Sequence, residues 1–248
     1  MKDSELRIAS LISGTGSTME RIAIECIQGS LKDKAMLVAV FTDRFTSGIH
    51  KATTLGIKGF IIDKNHFKSN EEWGEKITKE MQELGVDIIL QNGWLSKTPE
   101  TIIQSFEGRI FNQHPAPLDP DNKDINNNPL HFGGNGMYGL NAHAAVLKFQ
   151  ELSGRKFPTE ATIHQVTPNY DEGAVVYREE MQIRSDDTPF TLAKRLLNYE
   201  HKAQILFLNK FRDGKIQILK RNEPLIKKGE EQMLYLAKEL AINNLPSK

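Results

Sequence analysis

This chain of 248 residues predicts an α/β fold, with a mostly parallel sheet in its N-terminal half and a mixed or antiparallel C-terminal part. Three observations lead there. Short apolar runs alternate with helix-periodic stretches as far as residue 112. Alternation of this kind implies parallel strands joined by right-handed crossovers, with helices on both faces. A loop rich in Asp, Asn and Gly then breaks the pattern at 118–139. After it, two apolar runs are joined directly by the turn sequence TPNYDEG, which reads as a hairpin or strand return.

The elements follow in order. RIASLIS (7–13) predicts the first strand. Residues 17–29 place Met19, Ile22, Ala23, Cys26 and Ile27 on one helical face. AMLVAVFTD (35–43) and KGFIID (58–63) predict the second and third strands. Residues 70–84 predict a helix ended by Gly85, VDIILQ (86–91) a fourth strand, 99–106 a short helix, and GRIFN (108–112) a fifth strand. After the long loop, a helix is expected at about 140–152, then strands EATIHQV (160–166) and GAVVYREEMQI (173–183). A long helix near 188–212 carries Leu192, Leu196, Leu197, Ile205 and Leu206. From 222 the tail is first charged and then amphipathic, through Met233, Leu236, Ala237 and Leu240. No internal repeat or domain boundary stands out. The chain reads as one domain over 1–220, with 221–248 as its helical extension.

Composition narrows the function classes. Lys plus Arg equals Asp plus Glu at 32 each, so no nucleic-acid or membrane surface is indicated. Apolar residues at 39% are enough for a sizeable core. The one cysteine, Cys26, sits on an apolar helical pattern and is expected to be buried; it leaves no intrachain disulfide and no Cys-based zinc site. The N-terminal MKDSELRIAS lacks an apolar signal segment, and no run approaches the ~20 residues of a membrane span. A cytoplasmic protein, monomer or homodimer, is the expectation.

Four stretches could carry chemistry. In SGTGS (13–17), Gly14 and Gly16 free the backbone ahead of a helix N-terminus, which suits a phosphate. Met19 stands where a dinucleotide fingerprint needs its third glycine, and the Walker lysine is absent. The same five residues also fit a plain strand-to-helix turn with Ser17 as N-cap. In NQHPAP (112–117), Asn112 and His114 follow the fifth strand and are expected at the carboxyl-end crevice where parallel-sheet ligands gather. An amide and an imidazole there could hold an oxyanion and move a proton, or could simply build a turn. In NYDEG (169–173), Asp171 and Glu172 are either turn carboxylates or partners for His114, and His164 is either a core or a site histidine. In YEH (199–201), Glu200 and His201 form a solvated helix face, or Glu200 accepts from a sugar hydroxyl or amine. His131 and His143 lack further ligands at metal spacing, so no metal is expected.

The ordered set SGTGS, NQHPAP, TIHQVTPNYDEG, DDTP…YEH closely resembles the glycinamide ribonucleotide formyltransferase family of purine synthesis. FGGNGMYGLNAHAAVL (132–147) is similar to a loop variant of some bacterial members, and the resemblance covers roughly 7–220. It implies a Rossmann-like formyltransferase fold and direct formyl transfer from 10-formyltetrahydrofolate, as co-substrate, to the amine of glycinamide ribonucleotide, with no metal. It implies Asn112, His114 and Asp171 as the catalytic trio, with His164 in support. Gly14, Thr15, Gly16, Ser17 and Thr18 would hold the substrate phosphate, and Glu200 the ribose. Trp94, Leu95 and Asn112 would meet the folate. The chain departs from the family at Thr18, usually Asn, and at QNGWLSKTP (91–99), which lacks the usual Arg. Two other readings stand beside this one: a formyltransferase acting on a different amine, such as a sugar nucleotide, and a non-catalytic nucleotide-binding module of the same fold.

Overall fold

The computed structural model describes residues 5–244 and divides into two compact units. The first comprises residues up to Gln113 together with Gln204–Lys215. Its elements are β1 (Leu6–Ile12), α1 (Ser17–Gln28), β2 (Ala35–Thr42), α2 (Ser47–Thr54), β3 (Lys58–Ile61), α3 (Asn70–Glu83), β4 (Ile88–Gln91), α4 (Glu100–Ser105) and most of β5 (Ile110–His114). The strands lie in the order β3-β2-β1-β4-β5, and each pair is parallel. β1 is buried without a break from Ile8 to Ile12, the pattern of a strand covered on both faces.

Most of these elements fall where the sequence places them. An additional helix, α2, occupies Ser47–Thr54. Other differences are local. Only Thr18, Met19, Ile22 and Ala23 of α1 are buried; Cys26 is half-buried and Ile27 exposed, because the last turn of α1 lies at the surface. β5 runs on to His114, two residues past the expected end. A residue before proline is driven to extended backbone, which keeps His114 in the strand, and Pro115 then stops it.

The second unit comprises His114–Ala203 and residues from Ile216 onward. It contains α5 (Leu140–Ser153), the antiparallel pair β6 (Thr159–Gln165) and β7 (Val175–Met181), the first part of α6 (Pro189–Arg212), and α7 (Glu231–Asn244). The strand return predicted from TPNYDEG is therefore present. α5 turns Ala142, Ala145, Val146 and Phe149 to a core shared with Phe132, Leu225, Leu234, Ala237 and Ala241. α7 thus buries Leu234, Ala237 and Ala241 and leaves Leu236 exposed, one position away from the face expected. On α6 the buried residues are Leu192, Leu196, Ala203, Gln204, Phe207 and Leu208; Leu206 is exposed.

The chain leading into α7 is pinned by charge. Arg221 donates to both carboxylate oxygens of buried Glu160, each at 2.7 Å, and to the Leu118 carbonyl. Asp119 accepts from the Leu225 amide at 2.9 Å.

Candidate active site

In the first unit, the turn after β1 is built around Gly16. This residue caps α1 with φ +63°, a conformation that favours glycine. A Cβ here would meet Met19, Ile12 and the Gly48 backbone of α2 at 3.0–3.3 Å, so α2 nests on the turn. No side chain caps α1; Ser17 is its first helical residue rather than the N-cap. The first amides of α1 therefore lack a side-chain acceptor, the arrangement that attracts an anion. Gly14 and Thr15 are exposed, Ser17 is half-buried, and Thr18 is buried.

The same unit ties the segment after β4 to this turn. Ser13 accepts from the Leu95 amide at 3.0 Å, and Ser96 donates to Asp43 at 2.6 Å. Burial opposes the charge on Asp43, yet bonds from Arg44, Ser96 and Ser13 hold its carboxyl below the ordinary range. Trp94 is buried and stacked on Trp73 with ring centroids 5.7 Å apart, whereas Leu95 is 45% exposed. The Trp94 indole N–H is buried with no acceptor among the described residues. Asn112 is half-buried near the end of β5, on the same strand face as His114 two residues later. Glu200 is half-buried on α6.

The second unit brings His114, His164 and Asp171 together. Asp171 Oδ2 lies 3.6 Å from His114 Nδ1, and its Oδ1 lies 3.3 Å from His164 Nε2. All three side chains are buried. Asp171 sits at φ +58°, in the left-handed region that Asp tolerates better than most residues. The turn between β6 and β7 thus folds the carboxylate back toward the histidines. Gly134 N–H also donates to Asp171 Oδ2 at 2.8 Å. Burial pushes the Asp171 carboxyl up, but His114, His164 and that amide outweigh it and hold the group well below the usual carboxylate range.

The protonation of His114 follows from its partners. Nε2 lies 2.9 Å from the Phe132 carbonyl, which can only accept, so the neutral ring carries its proton on Nε2. The Nδ1 lone pair then faces Asp171. Burial pushes the imidazole below its ordinary range, against the opposing pull of Asp171 and the Phe132 carbonyl. In that neutral form the Nδ1 lone pair is the ring's site for receiving a proton. His164 presents Nδ1 to the Gln165 carbonyl at 2.8 Å and Nε2 to Asp171 Oδ1 at 3.3 Å.

Phe132–Gly134 opens the FGGNGMYGLNAHAAVL stretch noted for its family resemblance, but the sequence assigned it no role at the site. It contributes backbone groups, which that resemblance and the paired Gly133-Gly134 do not reveal. Gly133 is required by close approach: a Cβ there would lie 2.6 Å from Asp171 Cβ and 2.7 Å from Leu118 Cδ2. Among the described residues, no group of three or more His, Cys, Asp or Glu could hold a metal ion, and no helix is long and apolar enough to cross a membrane. Glu172 faces Lys123 at 3.9 Å. His131 and His143 are buried, and burial pushes their rings down to about 3 and about 4.

Comparison with known proteins identifies the family of the chain. The formyl transferase family model matches residues 6–208. The chloroplastic phosphoribosylglycinamide formyltransferase of Arabidopsis thaliana is 30% identical over 221 residues, covering 89% of this chain and 70% of that protein. The crystal structure of phosphoribosylglycinamide formyltransferase from Brucella melitensis superposes with a TM-score of 0.69 at 30% identity, over 88% of this chain and 100% of that one. The glycinamide ribonucleotide transformylase 1 structure from Symbiobacterium toebii reaches a TM-score of 0.72 at 23% identity, over 88% and 96% of the two chains, which is a likeness of fold. The match spans most of the chain and takes in the β1–α1 turn, the end of β5, the β6–β7 turn and Glu200, so the chain belongs to the formyl transferase family.

Proposed function

We propose that this protein transfers the formyl group of 10-formyltetrahydrofolate to the primary amine of glycinamide ribonucleotide, a step of de novo purine biosynthesis in the cytoplasm. The observation that carries this reading is the buried approach of His114 Nδ1 to Asp171 Oδ2, 3.6 Å apart. Both occupy positions for which the family resemblance implies catalysis. Residues 1–220 form the formyltransferase domain in this reading, and 221–248 its helical extension.

The chemistry divides among the residues. The amine nitrogen bonds to the formyl carbon, and the formyl oxygen becomes an oxyanion. The Asn112 amide donates to that oxygen; one such donor is worth roughly 3–4 kcal/mol of barrier. The attacking nitrogen loses a proton, which His114 accepts at Nδ1, directly or across one water. Asp171 stabilises the imidazolium so formed, with His164 holding the other carboxylate oxygen. The bond from the formyl carbon to the folate nitrogen then breaks, and the proton passes to that leaving nitrogen. No covalent enzyme intermediate is needed, and no metal enters these steps.

Gly14, Thr15, Gly16, Ser17 and Thr18 are assigned to the substrate phosphate, met by the uncapped amides of α1. Glu200 is assigned to the ribose. Trp94, Leu95 and Asn112 are assigned to the folate, with exposed Leu95 as apolar surface and the unpaired Trp94 indole as a donor. Both partners are small molecules, and the protein acts as a monomer or homodimer.

The test follows formyl-folate consumption by absorbance, with and without glycinamide ribonucleotide, for the wild type and His114→Ala. Consumption that depends on the nucleotide and is lost in the variant supports the proposal. Consumption without nucleotide indicates a hydrolase, and none with any acceptor indicates a binding module. Normal turnover by folded His114→Ala rejects the mechanism.

A further inference from the structure

Lys238 connects helix α7 to the backbone that supports the catalytic cluster. Lys238 lies on α7, which begins after the last residue matched by the family model. Its Nζ donates to the Gly133 carbonyl at 2.6 Å and to the His131 carbonyl at 3.3 Å. The intervening Phe132 carbonyl accepts from His114 Nε2, and the next amide, Gly134 N–H, donates to Asp171 Oδ2. Four consecutive residues thus send two carbonyls to Lys238, one carbonyl to His114 and one amide to Asp171.

Phe132 anchors this stretch in the core against Phe149 and Phe157, and its amide donates to the Pro117 carbonyl, but the two glycines that follow have no such side-chain anchor. The stretch is neither helix nor strand, and Gly134 adopts φ +98°, which side-chain-bearing residues rarely reach. Gly133 and Gly134 carry no side chain to pack. Lys238 approaches closely: a Cβ on Gly134 would lie 3.8 Å from its Nζ. The lysine itself is fixed from the other side, since neighbouring Leu234, Ala237 and Ala241 of α7 pack in the core with α5 and with Phe132. Helix, ammonium and loop backbone therefore form one continuous support beneath the two reacting side chains.

We infer that Lys238 is a positioning residue of the active site: from α7 it clamps the His131–Gly134 backbone and so sets the orientation of the His114 ring and the Asp171 carboxylate. This rests on the catalytic reading of His114 and Asp171. The ammonium also acts at a distance. Burial lowers the Lys238 pKa while Asp171 opposes that shift, and the positive charge in turn disfavours the imidazolium at His114. Asp171, His164, His131 and His143 also act on His114 or feel its charge.

The experiment compares Lys238→Met, Lys238→Gln and Lys238→Arg in the full chain. For Lys238→Met, kcat is expected to fall about tenfold or more, since small misplacements of reacting groups cost that much. KM for both substrates should stay within about threefold, the pattern of a lost transition-state contact. The acid limb of the kcat–pH profile should move to higher pH. Lys238→Arg should recover most of kcat. Lys238→Gln keeps donors for the carbonyls without the charge, and serves if Lys238→Met does not fold. It should retain kcat better than Lys238→Met while showing the same shift of the acid limb.

A second readout is independent of turnover: the His114 ring resonances should move in Lys238→Met. Wild-type kcat, an unmoved acid limb and unmoved His114 resonances in folded Lys238→Met or Lys238→Gln overturn the inference. Loss of thermal stability alone, with kcat intact, assigns Lys238 to docking of α7 and likewise overturns it. If Asp171→Asn and His114→Ala also turn over normally, the catalytic reading fails instead, and the ring resonances alone then decide whether Lys238 positions His114.

Discussion

Replacing Asp171 with asparagine removes one negative charge while leaving the backbone almost undisturbed. Asn is at least as tolerant as Asp of the φ +58° that this position adopts, and its amide oxygen can still accept from Gly134 N–H. What is lost is the attraction felt by a proton on His114 Nδ1, 3.6 Å away. At an effective dielectric near 20 that attraction is roughly 4–5 kcal/mol for a fully formed imidazolium. A transition state with the proton half transferred feels about half of it, roughly 2.3 kcal/mol, or about 50-fold in rate.

Steady-state formyl transfer at saturating substrates should therefore show kcat about 50-fold below wild type, with KM within about threefold. Folded Asp171→Asn enzyme with kcat within about twofold of wild type would refute the electrostatic argument. Stability supplies a second check with a defined sign. The Asp171 carboxyl is depressed in the folded state, so its contribution is present above the unfolded value near ~4 and is lost as pH falls through the lower folded value. Wild type should exceed Asp171→Asn in stability above about pH 4 and converge with it in stronger acid.

Two further outcomes are expected. Gly133→Ala would drive a Cβ into Asp171 and Leu118, so kcat should fall at least about tenfold and the urea midpoint should reflect a loss of about 1–3 kcal/mol; retention of both would show that the segment yields freely. His143→Phe removes a buried imidazole that burial pushes down to about 4. Unfolded chains take up that proton from about pH 6.5 downward, so wild type should lose stability between ~6.5 and 4. The variant should lose roughly 3 kcal/mol less by pH 4, measured as the difference between urea unfolding at pH 7 and pH 4.

The parts of the fold that the sequence revealed were those with a strong period or a strong boundary. The buried run of β1, Gly85 ending the α3 region and the TPNYDEG return all lie where expected. α2 went unseen because SGIHKATT buries only Gly48, Ile49 and Ala52, too little for a periodic signal. Leu192 and Leu196 of α6 and Ala237 of α7 are buried, but Leu206 and Leu236 are exposed, because both helices carry apolar residues around much of their circumference and only packing selects among them. At the site, Asn112, His114, His164 and Asp171 were recognisable as side chains of the right chemistry. The directions in which burial and neighbours push His114 and Asp171 were not, since a sequence does not display burial. The support from Phe132 and Gly134 was also hidden, because backbone carbonyls and amides look the same at every position. Lys238 was indistinguishable from a surface lysine until α7 acquired a direction.

The packing of α7 on α5 has a practical corollary for anyone handling the protein. A truncation drawn at the last matched residue, 208, would strip away Leu234, Ala237 and Ala241 and leave Ala145, Val146 and Phe149 as a wet, sticky stripe. Purification tags and fusion partners belong beyond Asn244, and a shortened variant that precipitates or sits idle reports on its cut site rather than on its chemistry.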